Sequence, residues 1–340
     1  MLLGKLIKCS DKNYRKISVK GIAFDSRNVK KGDIFFAIER NKKQGRKFIT
    51  EALSKGASVI ISDKKSKYLN HKIPLLAVKD VREKLTEASS KFYKKKPKNI
   101  IAVTGTNGKS SVADFFYQIL TINKIPAASI GTLGIISKKY KKKTNLTSLD
   151  PLSLHKNLEI LSKKKINNVI LEASSHGLKQ KRLDNLNIKV GIFTNLSHDH
   201  LDYHRNIRSY LDSKMYLFKN LLNKKSKIIT DESNKEFKIL KNIARKRKIK
   251  KLTIGTNSGS IKILQYKYKE NKQIVKIFIN SKIFTLEIPL IGYFQTKNLL
   301  MAILAATNCG LNYKKILKQL DKIKPVPGRL ESVAKLKNNS

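Results

Sequence analysis

Acidic residues are scarce in this sequence: 24 Asp and Glu stand against 73 Lys and Arg, a formal charge of +49. Such a deficit ordinarily raises a polyanion as partner. Here, however, the lysines run through nearly every segment, helix faces and turns alike, and gather in no stripe interleaved with aromatics. With Asn and Ile also abundant, that spread reads as compositional bias of the whole genome, and no nucleic-acid partner is expected. Cysteine is scarcer still. Cys9 and Cys309 are the only two, far apart, which excludes a disulfide framework and a cysteine metal pair and fits a reducing, cytoplasmic setting. No apolar run reaches the ~18 residues of a membrane span, and Met1-Leu2-Leu3 is broken too soon by Gly4, Lys5 and Lys8 for a signal peptide.

What is there suffices for two domains or more: 340 residues, 40% of them hydrophobic. Short β-like runs separated by Gly and Asp turns fill the first hundred residues, as in "GIAFDSRNVKKGDIFFAIER" and "GASVIIS", and predict a small α/β unit. The basic run around Pro97 reads as a linker, and Lys141-Lys142-Lys143 as another solvated one. From Ile100 the runs "IIAVTG", "NNVILEAS", "VGIFTNL", "SKIITDE" and "KKLTIGT" alternate with helical stretches, predicting a doubly wound, mostly parallel sheet. Residues 261–290 alternate like antiparallel strands, and "KNLLMAILAATNCG" reads as a helix closed by Gly310.

In such sheets ligands gather at the carboxyl ends of strands, so the residues just past each strand end carry the most chemical information. After the first comes "GTNGKSS", Gly105 to Ser111, and then an amphipathic helix with Val112, Phe115, Phe116 and Ile119 on one face. A glycine loop there aims backbone N–H groups of Gly105, Thr106, Asn107 and Gly108 and the positive end of the helix at a polyphosphate. Lys109 would reach the outer phosphates and Ser110 a magnesium ion. Val103 stands where the usual G-x-x-x-x-G-K-[ST] motif has its first glycine, so the spacing is a variant. Glu172 closes the next strand and would face the loop, as a carboxylate near magnesium should. "NLSHDHLDYH" packs His198, Asp199, His200, Asp202 and His204 into seven residues. Zinc is conceivable there, but without cysteines and beside a phosphate loop the better match is magnesium.

At these residues the chain resembles the ATP-dependent Mur ligases, and within them the branch that adds the third amino acid of the peptidoglycan stem peptide. The resemblance runs from "FDSRNVKKGDIFFAI" through "GTNGKSS", "LEASSHGLKQKRLDNL" and "FTNLSHDHLDYH" to "PVPGRLES". It implies a UDP-sugar-binding domain over 1–96, an ATP-binding ligase domain over 97–326, and a linker over 327–340 into a Rossmann-like third domain that is absent here. By matching motif, Phe24, Ser26 and Asn41 would contact UDP, while Thr147, Ser148, Ser174, Gln180 and Arg182 would hold the muramoyl-peptide and its diphosphate. Lys109, Ser110, Glu172 and His200 would position ATP and Mg2+; Asn298 and Arg329 match nucleotide-contacting positions. The lysine matching Lys214 is carbamylated in the family, which would place an anion beside the metals.

The resemblance thus implies a cytoplasmic, monomeric ligase that activates a carboxylate of UDP-N-acetylmuramoyl-dipeptide as an acyl phosphate and joins it to a diamino acid, meso-diaminopimelate rather than L-lysine. Two alternatives stand beside it: a nucleotide- and sugar-binding remnant without ligase activity, and a folate or polyglutamate ligase sharing the phosphate loop.

Overall fold

Short apolar runs in the first hundred residues form strands, most of them buried on both faces. The computed structural model describes residues 1–8, 11–38, 42–63, 73–269 and 272–329. Its first elements are α1 (Leu3–Leu6), α2 (Lys12–Arg15), β1 (Gly21–Ala23), β2 (Asp33–Phe36), α3 (Lys42–Ser54), β3 (Val59–Ser62), β4 (Leu75–Ala77) and α4 (Val81–Phe92). The four strands pair in sequence order, all parallel. Because successive side chains alternate across a strand, Ile34 and Phe36 of β2 pack toward α1 and α4, whereas Phe35 packs with Ile49 and Ala52 of α3. Asp80 caps α4 by accepting the Glu83 amide at 3.0 Å.

The second half begins at β5 (Asn99–Thr104) and α5 (Lys109–Ile122), then β6 (Ala127–Gly131), β7 (Gly134–Ser137), α6 (Pro151–Lys163), β8 (Asn168–Glu172) and α7 (Ser175–Lys179). Next come β9 (Ile188–Phe193), α8 (Leu201–His204), α9 (Ile207–Tyr216), β10 (Leu222–Asp231), α10 (Phe237–Arg247), β11 (Lys250–Gly255), β12 (Ile261–Lys269), β13 (Lys272–Ile279), β14 (Lys282–Ile288), α11 (Tyr293–Thr307) and α12 (Tyr313–Leu317). One ten-stranded sheet runs β14-β13-β12-β11-β10-β9-β5-β8-β6-β7. Pairing is parallel from β6 through β12. It is antiparallel in the β12–β14 meander and in the β6–β7 hairpin. The core of this sheet packs against α5 and α11, with Phe115, Phe116, Leu299 and Leu300 wholly buried.

The two compact units do not divide at a single cut. One comprises Met1–Lys96 with Leu149–Lys163 and Gln180–Leu186; the other takes Pro97–Ser148, Lys164–Lys179 and the chain from Asn187 onward. Helix α6 therefore belongs to the first unit, where Leu152 joins the core of Leu85 and Ala88. Among the described residues no helix is long and apolar enough to cross a membrane.

Several expectations need amendment. The β6–β7 hairpin is not apparent in the sequence because its strands are short and its turn carries no Asn-Gly signal. The lysines at 141–143 are not a free linker: the backbone of Lys142 exchanges two hydrogen bonds with Ile135, at 2.8 and 3.0 Å, completing the open side of the hairpin. Backbone pairing is indifferent to a side chain that points to solvent. In the run at 94–96, Lys96 folds back so that its ammonium caps the carbonyls of Ser90 and Tyr93 at the end of α4; burial pulls it down to about 8. Helix α11 starts at Tyr293, ahead of the apolar run that signalled it.

His155 on α6 makes stability depend on pH. It is wholly buried, and neither ring nitrogen makes a hydrogen bond of ordinary geometry. Burial, and secondarily the charge of Lys96, push it down to about 3. Below the unfolded histidine value of ~6.5 the unfolded chain binds the proton that the folded chain refuses, so stability falls as pH drops from there toward 3. The loss is about 2 kcal/mol at pH 5, from the same linkage. Urea midpoints measured between pH 7 and 4.5 are expected to fall less steeply in His155→Leu than in the parent, and equal slopes would show that His155 titrates freely when folded.

Candidate active site

Strand β5 lies between β8 and β9, and the chain leaves it toward β6 on one side before crossing back to β9 on the other. Ligands of open α/β sheets bind at such a reversal, outside the carboxyl ends of the strands. Three segments meet there: the loop after β5, Glu172 at the end of β8, and the segment after β9. Together with α9 and α11 they line a cleft of about 750 Å³.

The loop is held from the β9 side. Thr106 N–H donates to the Asn195 carbonyl (3.0 Å), Asn107 N–H to the Asn195 side chain (2.9 Å), and the Thr194 hydroxyl to the Asn107 carbonyl. Gly108 sits at φ +83°, where a Cβ would also lie 2.6 Å from Oδ1 of Asn298 on α11. Glycine alone fits both demands. From Gly108 the chain enters α5 directly, with Ser110 and Ser111 buried in the first turn.

Two lysines converge on the loop. Lys109 donates to the carbonyls of Gly105 (2.9 Å) and Thr106 (2.8 Å), and Lys214 of α9 donates to Gly105 as well, at 2.8 Å. Lys214 is 1% exposed. Burial, and after it the neighbouring Lys109 charge, lower its amine to about 6. Burial also lowers Lys109, partly offset by Glu172 and Asp199.

Glu172 acts on Lys109 from the end of β8. Its Oε2 accepts from the Ser110 hydroxyl at 3.0 Å and the Thr132 hydroxyl at 3.2 Å, while Oε1 accepts the Thr132 amide at 2.9 Å. The Thr132 hydroxyl also meets that of Thr147 at 3.2 Å, and Thr147 and Ser174 line the cleft. Ser148 does not line it: its hydroxyl is spent inside, donating to the Glu172 carbonyl (2.8 Å) and accepting the Ser174 amide (2.8 Å). His200 lines the cleft at φ +52°, a backbone conformation uncommon outside glycine and found often at functional sites. Asn298 and Arg329 form the far wall through Gln295, which accepts from Asn298 (3.1 Å) and donates to the Arg329 carbonyl (3.3 Å).

The remaining candidates belong to the first unit. Ser26 is buried and its hydroxyl donates to Glu51 at 2.6 Å; Phe24 packs at the edge of that unit's core. Arg182 places its guanidinium on the Gln180 side-chain oxygen, at 3.2 and 2.8 Å. Asn41 lies outside the described residues.

Residues 103–306 match the Mur ligase middle domain, and residues 18–93 the Mur ligase family, catalytic domain. The chain belongs to the Mur ligase family. Among the relatives of this Mur ligase is the UDP-N-acetylmuramoyl-L-alanyl-D-glutamate--2,6-diaminopimelate ligase of Rickettsia bellii, 40% identical over 94% of this chain and 67% of that protein. The chain thus spans about two thirds of that relative. A solved structure of a ligase bearing the same name superposes with a TM-score of 0.88 at 27% identity, covering 98% of this chain and 69% of the other. The Thermotoga maritima MurF ligase, solved in complex with ADP, shares the fold at a TM-score of 0.64 and 20% identity, over 93% of this chain and 68% of that one.

Three residues lining this Mur ligase's cleft, Thr132, Tyr210 and Gln295, and Thr194, which braces its loop, are not singled out as site residues by the sequence. For Thr132 and Thr194 a signal existed, since each comes directly after an apolar strand; Tyr210 and Gln295 carry none that a single sequence displays.

Proposed function

We propose that this chain binds ATP and UDP-N-acetylmuramoyl-L-alanyl-D-glutamate and activates one of the two free carboxylates of the D-glutamyl residue for ligation to meso-diaminopimelate. The observation that carries this reading is the meeting, in one cleft, of the phosphate loop, Lys109 and a Glu172 carboxylate braced by Ser110 and Thr132. The names of the relatives supply the substrate and the amino acid.

In the proposed reaction the substrate carboxylate oxygen attacks the γ-phosphorus, the bond to ADP breaks, and an acyl phosphate forms. The amine of the incoming amino acid then adds to the acyl carbon, loses a proton and expels phosphate from the tetrahedral intermediate. No protein nucleophile takes part. Lys109 and those loop and first-turn amides not already given to Asn195, as the Thr106 and Asn107 amides are, would bear the charge that spreads over the transferred group, which is a task of positioning and electrostatics. Thr147 and Ser174 would seat the acceptor side of the cleft; Phe24, Ser26, Asn41, Gln180 and Arg182 of the first unit would hold the sugar nucleotide. His200, Asn298 and Arg329 would contact ATP.

The donors beside the loop suit magnesium. The Ser110 hydroxyl and the Glu172 carboxylate are hard oxygens 3.0 Å apart, and magnesium takes few protein ligands, completing its shell with phosphate and water. Among the described residues no three His, Cys, Asp or Glu side chains come together as zinc would require. Held there, the ion would neutralise charge on the phosphates. Lys214, with its amine near 6, is largely free base at neutral pH. That is the form that adds to carbon dioxide, releasing a proton and leaving a carbamate anion.

Calorimetric titration with the non-hydrolysable analogue AMP-PCP is expected to give binding that requires Mg2+. With ATP, Mg2+, the UDP-linked dipeptide and hydroxylamine, the trapped product should be the peptide hydroxamate. No Mg2+-dependent nucleotide binding would sink the reading.

A further inference from the structure

Tyr210 is 1% exposed, lies on α9 one helical turn before Lys214, and borders the cleft. Its hydroxyl is 3.2 Å from Oγ1 of Thr106 in the phosphate loop. That Thr106 hydroxyl faces the Ser197 carbonyl at 3.3 Å and accepts the Ser197 amide at 3.0 Å. With the threonine proton given to Ser197, Tyr210 is the donor to Thr106. On its other aspect the Tyr210 ring lies under the Lys214 amine nitrogen, 4.1 Å from the ring centroid, in contact with the face of the ring. Behind it the rings of His204 and His200 stand at 5.2 and 6.2 Å. One side chain therefore touches the loop, is linked through Thr106 to the segment after β9, and fixes where the amine of Lys214 can sit.

We propose that Tyr210 is a positioning residue, whose hydroxyl holds the phosphate loop at Thr106 while its ring fixes the Lys214 amine beside that loop, so that both are in place before a nucleotide arrives. This rests on the reading that a nucleotide occupies the loop. The alternative role, filling of the core beneath α9, needs the ring and not the hydroxyl, and that difference is what separates the two.

Tyr210→Phe keeps the ring and removes the hydroxyl. Its melting temperature is expected to stay within about 2 °C of the parent, while the amides of residues 105–108 exchange with deuterium about fivefold faster in the protein without nucleotide, the effect of one neutral hydrogen bond. Affinity for Mg2+-loaded AMP-PCP should fall by a similar factor. Thr106→Val, which also loses both Ser197 bonds, should change both at least as much, and adding Tyr210→Phe to Thr106→Val should change little further. Unchanged loop exchange in Tyr210→Phe, or effects of the two substitutions that multiply, would overturn the proposal. The exchange measurement needs no nucleotide. Faster exchange in a protein whose parent form binds no AMP-PCP would therefore uphold the positioning role and count against the nucleotide reading alone.

Discussion

Lys109→Ala is expected to weaken binding of Mg2+-loaded AMP-PCP by about 100-fold while leaving the fold intact. A charge-assisted contact to phosphate is worth ~1.5–3 kcal/mol, and every 1.4 kcal/mol is tenfold in affinity. Structural cost should be small for a specific reason. In the folded chain the Lys109 ammonium is largely desolvated, and burial is the leading influence on it, only partly offset by Glu172 and Asp199. Removing it relieves a burial penalty and frees only the Thr106 carbonyl, which the cleft can hydrate, while the Gly105 carbonyl keeps Lys214. Calorimetry and thermal denaturation on the same sample decide the matter: intact affinity means the lysine is no phosphate ligand, and a collapse in melting temperature means it is a structural clamp.

Gly131→Ala should be damaging for the opposite reason. A methyl group at the end of β6 would lie 2.1 Å from Oε1 of Glu172 and 2.4 Å from its carboxyl carbon. Neither backbone yields easily, because β6 and β8 are locked in parallel register from Ala127↔Asn168 to Ile130↔Leu171. The carboxylate must leave Thr132 and Ser110. Overpacking of this kind costs ~1–3 kcal/mol, a fall in melting temperature of about 5–10 °C for a unit of this size, and Mg2+-dependent AMP-PCP binding should vanish. Adding Glu172→Ala to Gly131→Ala should restore most of the stability and none of the binding. If the pair instead melts as low as the sum of the two single variants, the clash is not with Glu172.

Much of the architecture was legible because its signals are local. "IIAVTG" and "VGIFTNL" read as buried parallel strands since both faces are covered and no polar alternation interrupts them. The loop "GTNGKSS" announces itself by glycines that only a tight strand-to-helix turn demands. What stayed hidden is what depends on folding back: Leu149–Lys163 and Gln180–Leu186 join the first unit although they lie far along the chain. In the site, Lys109, Ser110 and Glu172 were found because they lie at or just past the ends of recognisable strands. Tyr210 was not, since it sits within a helix, and Thr194, although it directly follows β9, was passed over because each matters only through a hydroxyl aimed at the loop. Lys214 was placed by resemblance alone; burial, which lowers its amine, is invisible among so many lysines.

The return of α6 to the first unit has a consequence for synthesis on the ribosome. The face of α4 that meets α6 receives Leu152 only from a segment made much later, and the Thr86 and Ser90 hydroxyls of α4 meet the carbonyls of Lys181 and Asn185 later still. At the ~5–20 residues per second of translation, the first unit waits several seconds with that face uncovered before its last piece emerges. A nascent chain halted near residue 100 should therefore be digested quickly by protease, and one halted well beyond residue 186 should resist.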